Sequence, residues 1–265
     1  MAGGVLFEWA DEWFKRAWNT EPIELPVDRR RLWRNPLTAE EYYGVISTDP
    51  APGRLKPIGH GIQAAVDPAA LTLEVPTAAR SFTIGVDARP GGGGGLPGTR
   101  HLGRADDVAV SVAGHQARVL QAGFWEPTGA LWAASDGIPP ALPWQPARML
   151  ISHPVRRPDS GQRIPARTWT LGPLAVTRHA GVAIVRLPWM LLGFADPSSH
   201  AIFEIRNGSV SLAHVKGVRV DVVLSGTRLL SSRTIRWPGW NRVQFTERRK
   251  ASWPILVRAF HRASP

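Results

Sequence analysis

The sequence predicts a mainly β protein: an antiparallel β-sandwich lies between an N-terminal barrel-end strand with its arm and a C-terminal helix. Short segments with alternating apolar and polar residues recur between residues 62 and 224, and glycine- or proline-containing turns separate them. Residues 240–260 combine apolar and basic positions in a pattern typical of an amphipathic helix. We therefore expect three parts, which are residues 1–50, 51–230 and 231–265.

The first part opens with the stretch GGVLFEWADEWFK, residues 3–15. Its glycines and the apolar run that follows predict a buried parallel strand over residues 3–9. Acids and tryptophans come next, at the end of the strand where α/β barrels place their active sites. Residues 19–50 contain several prolines and predict an arm, in which Thr38, with Glu41 three residues later, marks one helix start.

The second part contains the predicted strands of the sandwich. Within one of them Leu71, Leu73 and Val75 share a face, because side chains alternate along a strand. Gly114-His115 predicts a hairpin turn. The predicted strands cover residues 62–66, 70–75, 81–87, 107–112, 116–122, 182–187, 201–205 and 218–224.

Three other segments break this pattern. Residues 188–197 predict a short helical turn that begins at Pro188 and ends at Gly193. Five consecutive glycines within 90–98 predict a surface connection, because no Lys-Ser/Thr follows them as in a phosphate-binding loop. Residues 123–170, rich in proline and tryptophan, predict a long loop.

The tail predicts an amphipathic helix over residues 240–260, which Pro254 kinks or divides. We expect it to pack on the rest of the protein, with a membrane-surface helix as the alternative.

Charge and composition limit the classes of function that we expect. The formal net charge is +11, with a net −3 over residues 1–50 and +14 over 51–265. No helix-turn-helix, zinc-finger or RNA-recognition pattern accompanies the basic residues, so we interpret them as dispersed surface charges and expect no nucleic-acid partner. No long apolar segment or signal peptide is visible, so we expect no membrane span and leave the compartment open.

Metal and cofactor chemistry has little support in the sequence. The chain has no cysteine, which excludes disulfides and thiolate metal sites. Its eight histidines lack the spacing of zinc ligands, so we expect no metal or cofactor. A Ser-His-Asp set stays open, although no GxSxG elbow is present. Asp87, Asp106 and Asp107 could hold Ca²⁺ through loop oxygens, but ordinary turn acids are the favoured interpretation.

The candidate carbohydrate-binding residues are Glu8, Trp9, Asp11, Glu12 and Trp13. The chain has 12 tryptophans, and an indole ring stacks well on the C–H face of a sugar ring, while a carboxylate accepts hydrogen bonds from its hydroxyls. The alternative places the two tryptophans in the core and leaves the acids as solvated or capping groups. We assign no catalytic residue, because a barrel site needs carboxylates from several strands.

Two stretches resemble known carbohydrate-active proteins. GGVLFEWADEWFK resembles the last strand of the catalytic barrel in bacterial glycoside hydrolases related to family two, and RRRLWRNPLTAEEYYGVIS resembles the segment that leaves that barrel. Residues 55–230 are similar to family nine carbohydrate-binding modules, through AAVDPAALTLEV, FTIGVDARPGG, ADDVAVSV and VAIVRLPWMLLGFADPSS.

This resemblance implies a C-terminal accessory portion of a larger glycoside hydrolase-like protein. Such a portion is not catalytic alone, because the catalytic carboxylates of those enzymes lie on earlier strands. The implied partners are a polysaccharide or glycan and the preceding catalytic barrel. Two alternatives stay open: a basic interaction module for anionic glycan, lipid headgroups or nucleic acid, and a truncated chain without a role of its own.

Overall fold

The computed structural model describes residues 8–13, 15, 20, 25–89, 95–96, 106–122, 144–152, 155–165, 167–206, 209–230 and 234–263. This part of the chain is mainly β, with antiparallel sheets and one helix at its C-terminal end, α1 (Trp253–Ala263). The mainly β prediction with a C-terminal helix is therefore confirmed. The sandwich and its likeness to carbohydrate-binding modules stay a prediction.

The strands are numbered in chain order. They are β1 (Ile46–Pro50), β2 (Lys56–Gly59), β3 (Ile62–Val66), β4 (Ala70–Pro76), β5 (Ser81–Asp87), β6 (Val108–Ala113), β7 (Gln116–Ala122), β8 (Trp144–Pro146), β9 (Arg148–Ser152), β10 (Val155–Arg156), β11 (Arg163–Ile164), β12 (Arg167–Thr170), β13 (Leu174–His179), β14 (Val182–Pro188), β15 (Phe194–Asp196), β16 (Ala201–Arg206), β17 (Ser209–His214), β18 (Arg219–Leu224), β19 (Thr227–Leu230) and β20 (Phe245–Arg249). Within the described ranges, three 3-10 helices span Val27–Leu32, Ala39–Tyr42 and Trp189–Leu192.

Eleven strands form one sheet that curls into a half-barrel. Their order is β19-β18-β5-β6-β7-β13-β14-β4-β3-β2, and β8 pairs with β7 off this path. Ile235 lies beside the start of β18, since Ile235 and Val218 exchange two backbone hydrogen bonds of 2.8 and 3.1 Å. Ile235 therefore adds to the end of the sheet that β19 forms, and β2 is the other end.

The core lies on the inner face of this curled sheet. In β4, Leu71, Leu73 and Val75 are all fully buried, as the alternation predicts. Ile84 of β5 and Val110 of β6 join the same apolar cluster. The hydrophobic effect of burying these side chains on one face holds the sheet in its curled form.

Tight turns set the register of the hairpins. Gly114 has φ +60°, so the predicted Gly114-His115 turn between β6 and β7 is present. Ala180-Gly181 joins β13 to β14 with both φ angles positive, which is the geometry of a two-residue hairpin loop. Each turn matches the right-handed twist of the strands that it connects.

The predicted short helical turn after β14 is also present. It begins after Pro188, buries all four residues of Trp189–Leu192, and ends at Gly193 with φ +83°. The Gly193 amide donates to the Met190 carbonyl over 3.0 Å, which satisfies one carbonyl at the end of the turn. The Trp189 ring lies 5.0 Å from both the Phe194 and Trp237 rings and joins this turn to the core.

The arm packs on the body of the protein. Trp33 is fully buried in the core cluster. Arg29 donates to the Asp196 carboxylate over 2.7 Å, to the Ser198 hydroxyl over 2.7 Å, and to the Trp240 carbonyl over 2.8 Å. Because these partners come from distant parts of the sequence, Arg29 fixes the arm against the second half of the chain.

The tail differs from the predicted continuous helix. Residues 245–249 form β20, which pairs antiparallel with β1, from Ile46 opposite Arg249 to Pro50 opposite Phe245. The prediction of a helix that starts at 240 is therefore wrong, and α1 begins only at Trp253, with Pro254 in its first turn. A proline is tolerated there because the first amides of a helix have no intrahelical partner.

Two other segments bear on the predictions. Residues 3–7 of the predicted N-terminal strand lie outside the described residues, and Ala10 makes one parallel bridge to Ile46. Within the predicted loop 123–170, residues 144–170 contain β8 to β12, so that part of the prediction is wrong. The boundaries at residues 50 and 230 stay a prediction, although the pairing of β1 with β20 crosses both of them.

Across the described ranges, no helix has the length and apolar character needed to cross a membrane.

Candidate functional site

The two predicted site tryptophans have different environments. Trp9 is 60% exposed, and its ring meets the Trp253 ring edge-on at 5.4 Å. Trp13 is only 7% exposed, and its indole N–H donates to the Thr48 carbonyl over 2.9 Å. Only Trp9 therefore presents an indole ring to solvent, while Trp13 anchors its segment to β1.

The predicted site acids are engaged in ion pairs. Lys15 lies between Glu8 and Glu12, with the Glu12 carboxylate 3.2 Å from its ammonium. Asp11 is buried, with its carboxylate oxygens 2.5 Å from Lys250 Nζ and 3.4 Å from an Arg34 guanidinium nitrogen. Asp11 therefore connects the N-terminal segment both to the arm and to the residue that follows β20.

A close backbone approach makes this arrangement possible. A Cβ atom on Gly44 would lie 2.3 Å from the Ala10 carbonyl carbon and 2.3 Å from the Asp11 nitrogen. The amides of Val45 and Ile46 donate to the Trp9 carbonyl, and the Asp11 amide donates to the Ile46 carbonyl. Only glycine allows the two backbone segments to lie this close. Their closeness places Asp11 beside its cationic partners.

Beside this segment lies a cleft of about 480 Å³, here called cleft A. The residues of the arm, of β1 and of the end of β14 line it together. They are Arg34, Pro36, Tyr42, Asp49, Pro50, Ala69, Ala70, Arg186 and Pro188. The volume is within the ordinary range of small-molecule sites.

One wall of cleft A is built around Arg34. Its guanidinium carbon lies 4.5 Å from the centroid of the Tyr42 ring, and a nitrogen lies 3.4 Å from the Asp49 carboxylate. Burial and the neighbouring Glu41 carboxylate raise the pKa of the Tyr42 phenol, whose hydroxyl is hydrogen-bonded to Glu41 and Arg34. The wall offers an aromatic ring, the Arg34 guanidinium as a donor and the Asp49 carboxylate as an acceptor side by side.

Asp49 provides the acceptor. Burial by itself raises the pKa of Asp49, but hydrogen bonds from Ser47 and Arg248 and the charges of Arg248 and Arg34 lower it overall. The carboxylate is 35% exposed and 2.9 Å from Arg248 Nε. It is therefore ionised at neutral pH and within reach of a ligand in the cleft.

The opposite wall carries Arg186, which the buried Asp67 holds over 3.0 Å. Asp67 is itself fixed, because its other carboxylate oxygen accepts the Ala69 and Ala70 amides over 2.8 and 2.9 Å. Half of the Arg186 side chain stays exposed. Both cations of cleft A thus have acidic partners, and the cleft offers hydrogen bonds with little net charge.

Glu41 lies beneath cleft A and is fully buried beside Arg30. Burial raises the pKa of Glu41 to about 7, although the charge and hydrogen bond of Arg30 act in the opposite direction. Such a pKa is typical of functional sites, yet the complete burial of this carboxyl prevents contact with a ligand. Its role is to support the arm beneath Tyr42.

Among the three loop aspartates, Asp107 has the contacts of a turn residue. Asp107 accepts the Ala88 and Arg89 amides over 2.8 and 2.6 Å, so it caps a turn as the favoured interpretation expects. Burial raises its pKa, and the Arg89 contacts lower it only in part. In the part of the chain that the structure covers, no group of three histidine, aspartate or glutamate residues could hold a metal ion.

The sequence alone did not identify cleft A. Its residues come from separate segments, and no local pattern shows that Arg34, Asp49 and Arg186 lie close together. One signal was available, because Arg186 and Pro188 belong to the quoted segment VAIVRLPWMLLGFADPSS. Asp11 connects the predicted residues to the cleft through Arg34.

Comparison with protein-family models, with curated proteins and with solved structures finds no match to this chain.

Proposed function

We propose that this chain is a non-catalytic carbohydrate-binding module that holds a neutral saccharide in cleft A. The observation that carries the proposal is the pairing of both cleft arginines with acids, Arg34 with Asp11 and Asp49, and Arg186 with Asp67. A neutral, hydroxyl-rich ligand suits such a surface, because it needs donors and acceptors but no net countercharge.

The aromatic groups support the same ligand class. The Tyr42 ring lines the cleft, and the largely exposed Trp9 offers a second flat surface outside it. Aromatic rings give contact area to a sugar ring at small entropic cost. In this proposal Glu12 is the predicted acid available to a ligand, while Glu8, Asp11 and Trp13 hold the segment in place.

The accessory role follows from the resemblance to glycoside hydrolases and is part of the proposal. The protein then binds a polysaccharide without cleaving it, as the accessory portion of a larger carbohydrate-active protein. We expect a bound polysaccharide to keep its chain length after incubation with the protein.

Affinity electrophoresis in gels that contain a soluble polysaccharide tests the proposal. The panel consists of neutral xylan, mixed-linkage β-glucan, galactomannan and hydroxyethylcellulose, with heparin as an anionic comparison. We expect at least one neutral polysaccharide to retard the protein, and we expect calorimetry to give the same affinity at 0.05 and ~0.5 M salt, since screening does not weaken uncharged contacts.

Matched variants locate the site. Arg186→Gln removes a cleft cation and should weaken binding about tenfold, as loss of a hydrogen bond to a charged group does. Arg118→Gln changes an exposed arginine of β7 that lines neither wall, and should bind like the wild type. Trp9→Ala measures the contribution of the ring outside the cleft.

Two outcomes would contradict the proposal. A folded protein that none of the neutral polysaccharides retards does not bind carbohydrate in the proposed way. Retardation by heparin alone, lost at ~0.5 M salt, would instead favour the basic interaction module that the net charge of +11 allows.

A further inference from the structure

A second cleft of about 480 Å³, here called cleft B, lies where the two ends of the curled sheet face each other. Strands β2 and β3 line one side, and residues 234–238, of which Ile235 is bridged to Val218, line the other. The described strands β2 and β19 do not pair with each other, so the half-barrel has a seam at this point.

The floor of cleft B is apolar and rigid. Ile58, Ala64, Ile235 and Trp237 line it and are all buried within the fold. The Trp237 indole N–H donates to the Pro197 carbonyl over 2.9 Å, which fixes the ring, and the His200 ring packs 4.9 Å away. The floor therefore offers a preformed apolar surface.

The described rim of cleft B is positively charged. Arg54, Lys56 and Arg236 are exposed at its edges, and no aspartate or glutamate is among the described residues that line the cleft. Within the described residues none of these three side chains has an acid at ion-pair distance, in contrast to the arginines of cleft A. Three cations above an apolar floor attract an anion but leave its apolar part to be buried below.

We propose that cleft B binds an amphipathic carboxylate, with its alkyl or aryl body on the floor of Ile58, Ile235 and Trp237. The carboxylate lies among Arg54, Lys56 and Arg236, which form charge-assisted hydrogen bonds with it. Neither part of the ligand suffices alone. A small inorganic anion leaves the floor uncovered, and an uncharged apolar molecule leaves the cations without a partner.

Isothermal titration calorimetry on the whole chain tests this inference with dodecanoate, octanoate and 1-octanol, each below its micelle or solubility limit. Dodecanoate should bind at least tenfold more tightly than octanoate, because four more methylene groups contact the floor. Octanoate should bind about tenfold more tightly than 1-octanol, which has the same chain without the charge.

Two variants and one control variant test whether dodecanoate binds in cleft B. The double variant Arg54→Ser/Arg236→Ser should weaken dodecanoate binding tenfold or more, and Val66→Trp should weaken it by filling the cleft. Arg118→Ser should bind like the wild type. Circular dichroism before each titration shows that the variants are folded.

Three results would overturn the inference: no dodecanoate binding, equal affinity for octanoate and 1-octanol, or equal binding by the double variant and Arg118→Ser. The saccharide proposal is separable from this one, because no described residue lines both clefts. Arg186→Gln should therefore keep its full affinity for dodecanoate.

Discussion

Cleft A and cleft B have the same volume and both contain arginines, but the arginines are used differently. In cleft A the fold itself provides the countercharges, since Asp11, Asp49 and Asp67 lie at ion-pair distance from Arg34 and Arg186. In cleft B the three exposed cations of the rim have no aspartate or glutamate at ion-pair distance among the described residues, and they lie above an apolar floor. A basic composition therefore says little about function until the acid beside each cation is known.

Among the substitutions that test this comparison, Gly44→Ala is expected to have the largest effect. A Cβ atom at 2.3 Å from two backbone atoms forces the segment 9–11 away from Ile46 and separates Asp11 from Arg34. We expect the free energy of unfolding to fall by roughly 3–4 kcal/mol, the range of severe steric substitutions. Urea denaturation measures it. Gly172→Ala, whose Cβ meets nothing within 4 Å, is the control and should stay near the wild type.

Lys250→Met tests the same ion pairs of Asp11, at the lysine that follows β20. It removes the nearer of the two cations around the buried Asp11 carboxylate and keeps most of the side-chain volume. Because a buried charge that loses a partner is costly, we expect a loss of roughly 2–3 kcal/mol in denaturation experiments. Lys216→Met, at an exposed lysine, should change stability little. An equally small effect at Lys250 would mean that Asp11 does not need this partner.

Stability against pH tests the buried acid beneath cleft A. The pKa of Glu41 is about 7 in the folded protein against an ordinary value of 4.5, so the folded state holds its proton more tightly. Between these values, rising pH should destabilise the wild type relative to Glu41→Gln, by on the order of 3 kcal/mol, with no further change above about 7. Parallel pH profiles of the two proteins would contradict the raised pKa.

The smallest expected effect on stability comes from substitutions at the rim of cleft B. Arg54→Ser and Arg236→Ser should each change the free energy of unfolding by less than about 0.5 kcal/mol, because exposed cations without an acidic partner contribute little to folding. Thermal unfolding without added ligand measures this. A loss of 2 kcal/mol or more would show that these residues have a structural role and would remove the contrast between the clefts.

The strands were predictable where one face of them is buried. Alternation at Leu71, Leu73 and Val75 located β4 correctly, since one face of that strand meets the core and the other does not. The turn from Pro188 to Gly193 was predictable for a different reason, because proline and glycine restrict the backbone locally.

The tail shows where this reasoning fails. Residues 245–249 form a strand in which all five residues are exposed and no face is buried. The pattern of apolar residues therefore cannot indicate that this strand pairs with β1. Prediction of the two clefts from the sequence fails for a related reason. The curl of the sheet brings β2 near residues 234–238, and this closeness depends on the packing of many strands rather than on any short motif.

The ladder between β1 and β20 has a consequence for synthesis of the protein. Its partners are separated by about 200 residues, which a ribosome adds in about 10–40 s. Throughout that interval β1 has no strand to complete its hydrogen bonds, and such an edge invites association with other chains. We therefore expect Ile46–Pro50 of a nascent chain to stay without these hydrogen-bond partners until Phe245–Arg249 emerges.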